Sequence, residues 1–465
     1  MLKERYEFGH DADLYSWIVK DIVVNHHFRL IGQLTSAPGI FIGPMFYYLI
    51  APFFLITNMD PFGAIIPFTI LGLLTIISYY FVFTRLFSKE TGLIGAFLYA
   101  VLIVTVNSDR WVVPTVTTSI WAIWYFYSII SLVRGNFVIL PLLGILVGLI
   151  WDVHIALIPS LVAIPVSLFL SKKRPGLKQV FLFLTSLIIT SLPLMLFEIR
   201  HNFQQTTSLL QNFITPHQGA SGLYKLTQVL GMITRNTNAL LFFPQSVNFT
   251  ENIFFVIILL LLPLFIKRKS ISLKDLLALY SWIIGIILFF TFTSTPVSEY
   301  YFSNINIIFI AFISLILNYL IKKPLFLYPI LVILTIIMLK NLIFFITDNP
   351  YHKGYTEKKA LVESIKSDAF SKNYPCFGIS YITTPGENVG FRYLFYLNNL
   401  YIIHPSLNIP VYNIVIPDEL STEVEQKFGH VGLILPKGSF SKEQLKKNCS
   451  VENTNLTDTM SGFVK

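Results

Sequence analysis

A chain of 465 residues in which 54% are hydrophobic and only 13% charged cannot clothe itself in polar surface, because soluble domains carry roughly 25% charged residues. The apolar residues come in blocks long enough to cross a bilayer, about 20 residues as a helix, and this excludes a wholly soluble protein. The formal net charge of +9 is scattered over short loops between those blocks with no basic domain, so nucleic acid is excluded as a partner and membrane lipids are expected instead.

The N-terminal "MLKERYEFGHDADLY" is polar and lacks the apolar core of a cleavable signal peptide. Within "GHDADLYSWIVKDIVVNHH", Leu14, Trp17, Ile18 and Ile22 fall on one helical face with Asp21 alongside, which predicts an amphipathic helix lying in the membrane interface. His10, Asp11 and Asp13 stand at its start. Acids there suit an N-cap and the positive end of the helix dipole, and an acid so fixed in direction also suits catalysis. The apolar block 40–56 contains Pro44 and Pro52 and reads as a broken, re-entrant or interfacial helix, which needs cover from protein or a wet cavity.

Membrane spans are predicted near 61–87, 92–107, 114–133, 136–151, 154–171, 177–197, 252–266, 275–294, 302–321 and 325–346. One set of loops collects the basic residues, among them Arg85, Arg134, Lys172, Lys173, Arg174, Lys267, Arg268, Lys322 and Lys323. The positive-inside rule puts that set in the cytoplasm. Residues 1–60, the long loop 198–251 and everything after about 347 then face outward. The expected class is an all-α polytopic membrane protein of about ten spans in the plasma membrane. Residues 1–60 form an outer loop with interfacial helices, 61–346 the transmembrane core and 347–465 a small extracytoplasmic α/β domain. In that tail a helix is predicted at 356–368 and strands at "CFGISYIT", "YNIVIP" and "VGLILP". Cys376 and Cys449, both in the tail, form one disulfide outside the cytosol or stay unpaired.

Ionisable residues beside a bilayer are functional candidates by default, and here they gather on the outward side. Besides the first group they are Asp109 and Arg110 in "SDRW", Asp152 and His154 in "WDVH", Glu198, Arg200 and His201 in "FEIRHNF", and Glu299, Tyr300 and Tyr301. Each has a bland reading: snorkelling for Arg110, a polar turn for Asp152 and His154, mutual pairing for Glu198 and Arg200, an aromatic belt for the tyrosines. Together, acids, arginines and a broken helix suit a cavity holding a lipid-linked phosphate with a polar headgroup, since Arg binds phosphate and a carboxylate serves as general base.

With these residues the chain resembles the GT-C superfamily of integral-membrane glycosyltransferases, in the branch of the protein O-mannosyltransferases and aminoarabinose transferases. The resemblance rests on the first-loop acid, the interfacial helix, "GPMFYYLIAPFF", "SDRW", "WDVHIALIP" and "LPLMLFEIRHNF", over roughly residues 8–345. It implies transfer of a sugar from a polyprenyl-phosphate donor to a lipid, glycan or protein acceptor on the outer face, by a single inverting displacement. It places the catalytic base on Asp11, with Asp13 as fallback. Arg110, Arg200 and His201 become candidates for the donor phosphate. His10, Asp109, Asp152, His154, Glu198, Tyr300 and Tyr301 are expected to line the cavity. Family members begin with a membrane helix ahead of the acidic loop, and by the resemblance one is missing here. No spaced carboxylate cluster asks for an essential divalent metal, although "HDAD" could supply ligands. The competing classes are a membrane transporter or lipid flippase, with a site near mid-membrane, and an assembly protein whose tail does the work.

Overall fold

The computed structural model describes residues 4–35, 39–214, 221–242, 271–293, 297–347, 352–406, 408–438 and 440–457. Up to the tail its helices are α1 (His10–Val23), α2 (Met45–Ile56), α3 (Ile65–Leu86), α4 (Lys89–Val101), α5 (Ile103–Arg110), α6 (Thr118–Val133), α7 (Leu140–Gly148), α8 (Ile150–Val153), α9 (Ala163–Ser171), α10 (Leu177–Arg200), α11 (Gln204–Ile214), α12 (Leu223–Phe242), α13 (Leu273–Phe292), α14 (Asn306–Ile321) and α15 (Pro324–Thr347).

Among the described residues six stretches are long and apolar enough to cross a membrane: Pro61–Leu86, Pro114–Val133, Leu177–Arg200, Leu273–Phe292, Glu299–Ile321 and Pro324–Thr347. Each coincides with an expected span. The expected span 92–107 is instead broken into α4 and α5 with a bend of 63°. Leu102 is extended there (φ −72°, ψ 132°), and the break frees carbonyls that other groups must satisfy. Asn341 donates to the Val101 carbonyl at 2.7 Å, and the Thr105 hydroxyl donates to the Tyr99 carbonyl at 2.6 Å. The expected spans 136–151 and 154–171 are the shorter apolar helices Phe137–Val153 and Ile155–Ser171. Extended backbone at His154 ends the first of these and starts the second. The expected span 252–266 lies outside the described residues.

The core of the bundle is built around α6, whose Trp121, Tyr125, Phe126 and Ile129 are buried. Its polar ring atoms are paired: Trp121 Nε1 donates to the Leu146 carbonyl at 2.7 Å and the Tyr125 hydroxyl to the Ser160 carbonyl at 2.8 Å, as buried polar groups require. The most apolar parts of α10 and α15 are only 6% and 11% buried. Apolar faces of that extent need a covering phase, and lipid supplies it. The long outer loop expected at 198–251 is not simply a loop: its described residues include α11 and α12, and α12 packs on α13.

The tail carries α16 (Tyr355–Ser371), β1 (Phe377–Thr383), α17 (Arg392–Leu397), β2 (Ile402–Ile403), β3 (Val411–Ile416), β4 (Gln426–Phe428) and β5 (Val431–Ile434). The sheet order is β2-β1-β3-β5-β4; β2 and β3 run parallel to β1, β5 antiparallel to β3, and β4 antiparallel to β5. The three expected strands are β1, β3 and β5. The short edge strands β2 and β4 carry too few residues for a period-2 signal. Cys376 and Cys449 are bonded, with Cα atoms 5.7 Å apart.

One expectation is corrected. The helix read as lying in the membrane interface, α1, is buried on nearly every side. Its Leu14, Trp17 and Ile18 belong to one hydrophobic core with Tyr47 and Phe54 of α2 and with Leu361, Tyr393 and Tyr412 of the tail. The amphipathic pattern was real, but protein covers the apolar face rather than lipid.

Candidate functional site

Asp11 sits in the first turn of α1, whose N-cap is Gly9 with no side-chain cap. The acids at this helix start are therefore not spent on capping. Asp11 is half-buried and accepts a hydrogen bond from Gln33 Nε2 at 3.2 Å. Gln33 is held in turn by Tyr47, whose hydroxyl donates to Gln33 Oε1 at 3.2 Å and accepts from Gln33 N at 3.0 Å. A Cβ at Gly32 would run into the Tyr47 ring, so only glycine lets this ring close on Gln33. Asp11 also lies within electrostatic reach of Tyr300.

Tyr300 lines a cavity of about 710 Å³, together with Glu7, Tyr99, Asn107, Ser108, Trp111, Thr115, Ser119, Asn236, Glu299, Ser303 and Asn306. The bend between α4 and α5 makes one wall, and the segment 297–310 makes another. Glu7 was not singled out from the sequence, although it stands four residues before Asp11. Burial raises its carboxyl above the usual range, the Lys358 charge lowers it, and the Asp11 charge raises it further.

Asp13 turns the other way. It is 2% exposed and its Oδ1 accepts from Tyr393 N at 2.8 Å. Burial lifts its pKa to about 6 against the opposing pull of that hydrogen bond and of Arg392. His10 is exposed, so the residues of "HDAD" diverge. Among the described residues no three His, Cys, Asp or Glu side chains group closely enough to hold a metal ion.

The tail grips the segment around these acids. Lys358, 5% exposed, donates to the carbonyls of Phe8 and Val389, both at 2.7 Å. Tyr355 N donates to the Tyr6 carbonyl at 2.9 Å. Lys359 and the Tyr355 hydroxyl both bind Asp60 Oδ2, at 2.8 and 2.7 Å. Burial raises the Asp60 carboxyl, but these bonds and that from Phe62 N outweigh it and hold the group below its usual range. Trp17 packs against Tyr393 and Tyr396 at ring distances of 5.6 and 5.2 Å.

Other expected site residues divide. Asp109 accepts from the Tyr99 hydroxyl at 2.7 Å, beside the cavity wall. Asp152 accepts from Met45 N at 2.9 Å and so caps α2 from the facing turn; a Cβ at Gly43 would strike this carboxylate. His154 packs its ring on Tyr300 and Tyr301, at 5.4 and 4.9 Å, and Tyr301 stacks on Phe290. Glu198 accepts from Gln205 N and Thr206 N, each at 2.9 Å. It serves the start of α11 rather than pairing with Arg200. Arg200 and His201 are exposed at the end of α10, with His201 stacked on Phe197. Arg110 is half-buried beside Arg5 and Glu7 in a narrow opening, its guanidinium 5.7 Å from the Phe345 ring centre.

Residues 38–196, which run from the loop before α2 to near the end of α10, match the sequence profile of the family described as dolichyl-phosphate-mannose-protein mannosyltransferase. The crystal structure of ArnT from Cupriavidus metallidurans bound to undecaprenyl phosphate superposes with a TM-score of 0.56 at 11% identity, covering 94% of this chain and 95% of that one. The chain shares the fold of ArnT. The apo form of ArnT gives a TM-score of 0.53 at 10% identity over 93% and 94% of the two chains. Among curated proteins, none matches by sequence. The ArnT-like superposition spans both the helical bundle and the tail, so the expected resemblance, drawn from residues 8–345, extends further along the chain.

Proposed function

We propose that the protein is a membrane glycosyltransferase that moves a sugar from a polyprenyl-phosphate donor to a lipid, glycan or protein acceptor on the outer face. Asp11 is the general base. The observation that carries this reading is the setting of Asp11: a half-buried carboxylate fixed by Gln33 at the start of α1, within electrostatic reach of Glu7 and Tyr300, which both line the 710 Å³ cavity. The mannosyltransferase profile over 38–196 supports it.

In the reaction, Asp11 takes the proton of the acceptor hydroxyl as its oxygen attacks the anomeric carbon. The bond from that carbon to the phosphate oxygen breaks on the opposite side, so configuration inverts. The electron pair leaves with the polyprenyl phosphate, and an arginine stabilises the charge that develops there. In this reading the tail lies on the same face of the membrane as the cavity, which is supported by the bonds of Lys358, Tyr355 and Tyr393 to residues 6–13 around the base. Asp11→Asn should cut transfer by about 10² to 10⁴ with an unchanged melting temperature. Full turnover in this variant would end the assignment.

A further inference from the structure

Three cavities of different chemistry adjoin one another at the start of α1. The first, of about 210 Å³, lies between α3 and α5 and is lined by Ile65, Phe68, Leu73 and Ile76, with Arg5 and Arg110 also on its wall. Leu73 is 58% exposed, so this cleft lies at the lipid-facing side of α3. The second is a passage of about 30 Å³ lined by the same two arginines, with Glu7, Asn107 and Trp111. The third is the 710 Å³ cavity, which shares Glu7, Asn107 and Trp111 with the passage.

The third cavity has a distinctive lining. Asn107, Ser108, Thr115 and Asn306 offer amides and hydroxyls that bind no side-chain partner among the described residues. Trp111 and Tyr300 expose 48% and 38% of their surface, which gives ring faces for stacking. No lysine, arginine or histidine lines it among the described residues, whereas Glu7 and Glu299 do. Neutral hydrogen-bonding groups and aromatic faces fit an uncharged sugar, and Glu7 beside them disfavours an acidic one, while Glu299 is already paired with Arg235 at 3.2 Å.

We propose that the donor threads these cavities in the order of its own parts: prenyl chain in the α3–α5 cleft, phosphate between Arg5 and Arg110, and an uncharged pyranose in the cavity beyond Trp111. This rests on the transferase reading and narrows it, because it selects Arg110 over Arg200 and brings in Arg5, Asn107 and Trp111. The geometry also disfavours the other apolar cavity, of about 310 Å³ beneath α2. Among the described residues its lining has no lysine, arginine or histidine to offset Asp152 and pair a phosphate, whereas Arg5 and Arg110 stand beside Asp109 and Glu7 on the proposed route. Arg200 lines none of the four cavities.

The test measures dissociation constants of the full chain in nanodiscs for undecaprenyl phosphate, undecaprenol, inorganic phosphate, and undecaprenyl-phosphate carrying mannose or glucuronic acid. Arg5→Ala and Arg110→Ala should each weaken undecaprenyl phosphate roughly tenfold or more, Arg110→Lys less, and Arg200→Ala not at all. Undecaprenol and inorganic phosphate should each bind far more weakly than the joined molecule. Asn306→Ala should weaken the mannosyl lipid while sparing undecaprenyl phosphate, because Asn306 lines the third cavity and not the passage, and the mannosyl form should outbind the glucuronosyl form. Loss of binding in Arg200→Ala with both other alanine variants unaffected would move the phosphate to the end of α10 and overturn the route. Equal binding of undecaprenol, or of inorganic phosphate alone, would overturn the joined site, and a preference for glucuronic acid would overturn the uncharged sugar. If the folded wild type binds no undecaprenyl phosphate at all, the transferase reading fails with it.

Discussion

Two aspartates two residues apart end in opposite surroundings. On a helix, positions 11 and 13 point about 200° apart, so one can face the cavity while the other faces the tail. Asp13→Asn should therefore leave transfer near the wild-type rate, because an amide oxygen still accepts from Tyr393 N. Its effect should show in stability. The native pKa of Asp13, about 6, lies above the ordinary value of about 3.9. Between these values the folded state holds the extra proton, so stability falls as pH rises from about 4 to about 6. Thermal melting across that range should show the decline in the wild type and a flatter profile in Asp13→Asn. An equal slope in both would mean Asp13 does not titrate as described. Sequence reasoning left "DAD" open because its choice depends on Tyr393, which lies 380 positions away. Gln33 left no local signal for the same reason.

At the scale of elements, the informative failures are those where tertiary contact overrides a local pattern. Hydropathy located α3, α6, α10, α13, α14 and α15 because each holds a long apolar run. It could not see the break at Leu102, where satisfaction of the freed carbonyls depends on Thr105 and on Asn341 from a distant helix. Thr105→Val removes the donor to the Tyr99 and Leu102 carbonyls and should cost about 1–3 kcal/mol, measured by melting in detergent. No loss of stability would show that another group satisfies these carbonyls. The periodicity of α1 was likewise read correctly, but period alone does not say whether lipid or protein covers an apolar face. Lys358→Met tests the protein cover. It leaves the Phe8 and Val389 carbonyls without their donor, and should lower kcat more than it raises the donor KM, with partial rescue by Lys358→Arg. Unaltered kcat would separate the tail from the placement of the base.

Across the whole molecule, the N-terminal segment, α2 and the tail share a core, while α4, α6, α7, α12, α13 and α14 contribute to another. The tail is therefore a structural part of the site and more than an appendage. Removing residues 352–465 uncovers Trp17, Tyr15 and Phe54 and strips the bonds to Tyr6, Phe8, Asp13 and Asp60. The expected result is loss of transfer and aggregation in detergent on size-exclusion chromatography. A monodisperse, active truncation would contradict the shared core. The outward gathering of polar groups, read from loop charge, corresponds to one contiguous region that includes Glu7, Asp11, Arg110, His154 and Tyr300. Glu198, Arg200 and His201 gather instead at the end of α10.

The most direct measurement is a structure of the full chain in a lipid nanodisc with a bound polyprenyl-phosphate sugar. The account predicts the Asp11 carboxylate on the acceptor side of the anomeric carbon, with Asp13 still on Tyr393 N. A headgroup at the bilayer midplane, or bound on the far side of α1 from Asp11, would contradict it and bring the transporter reading forward.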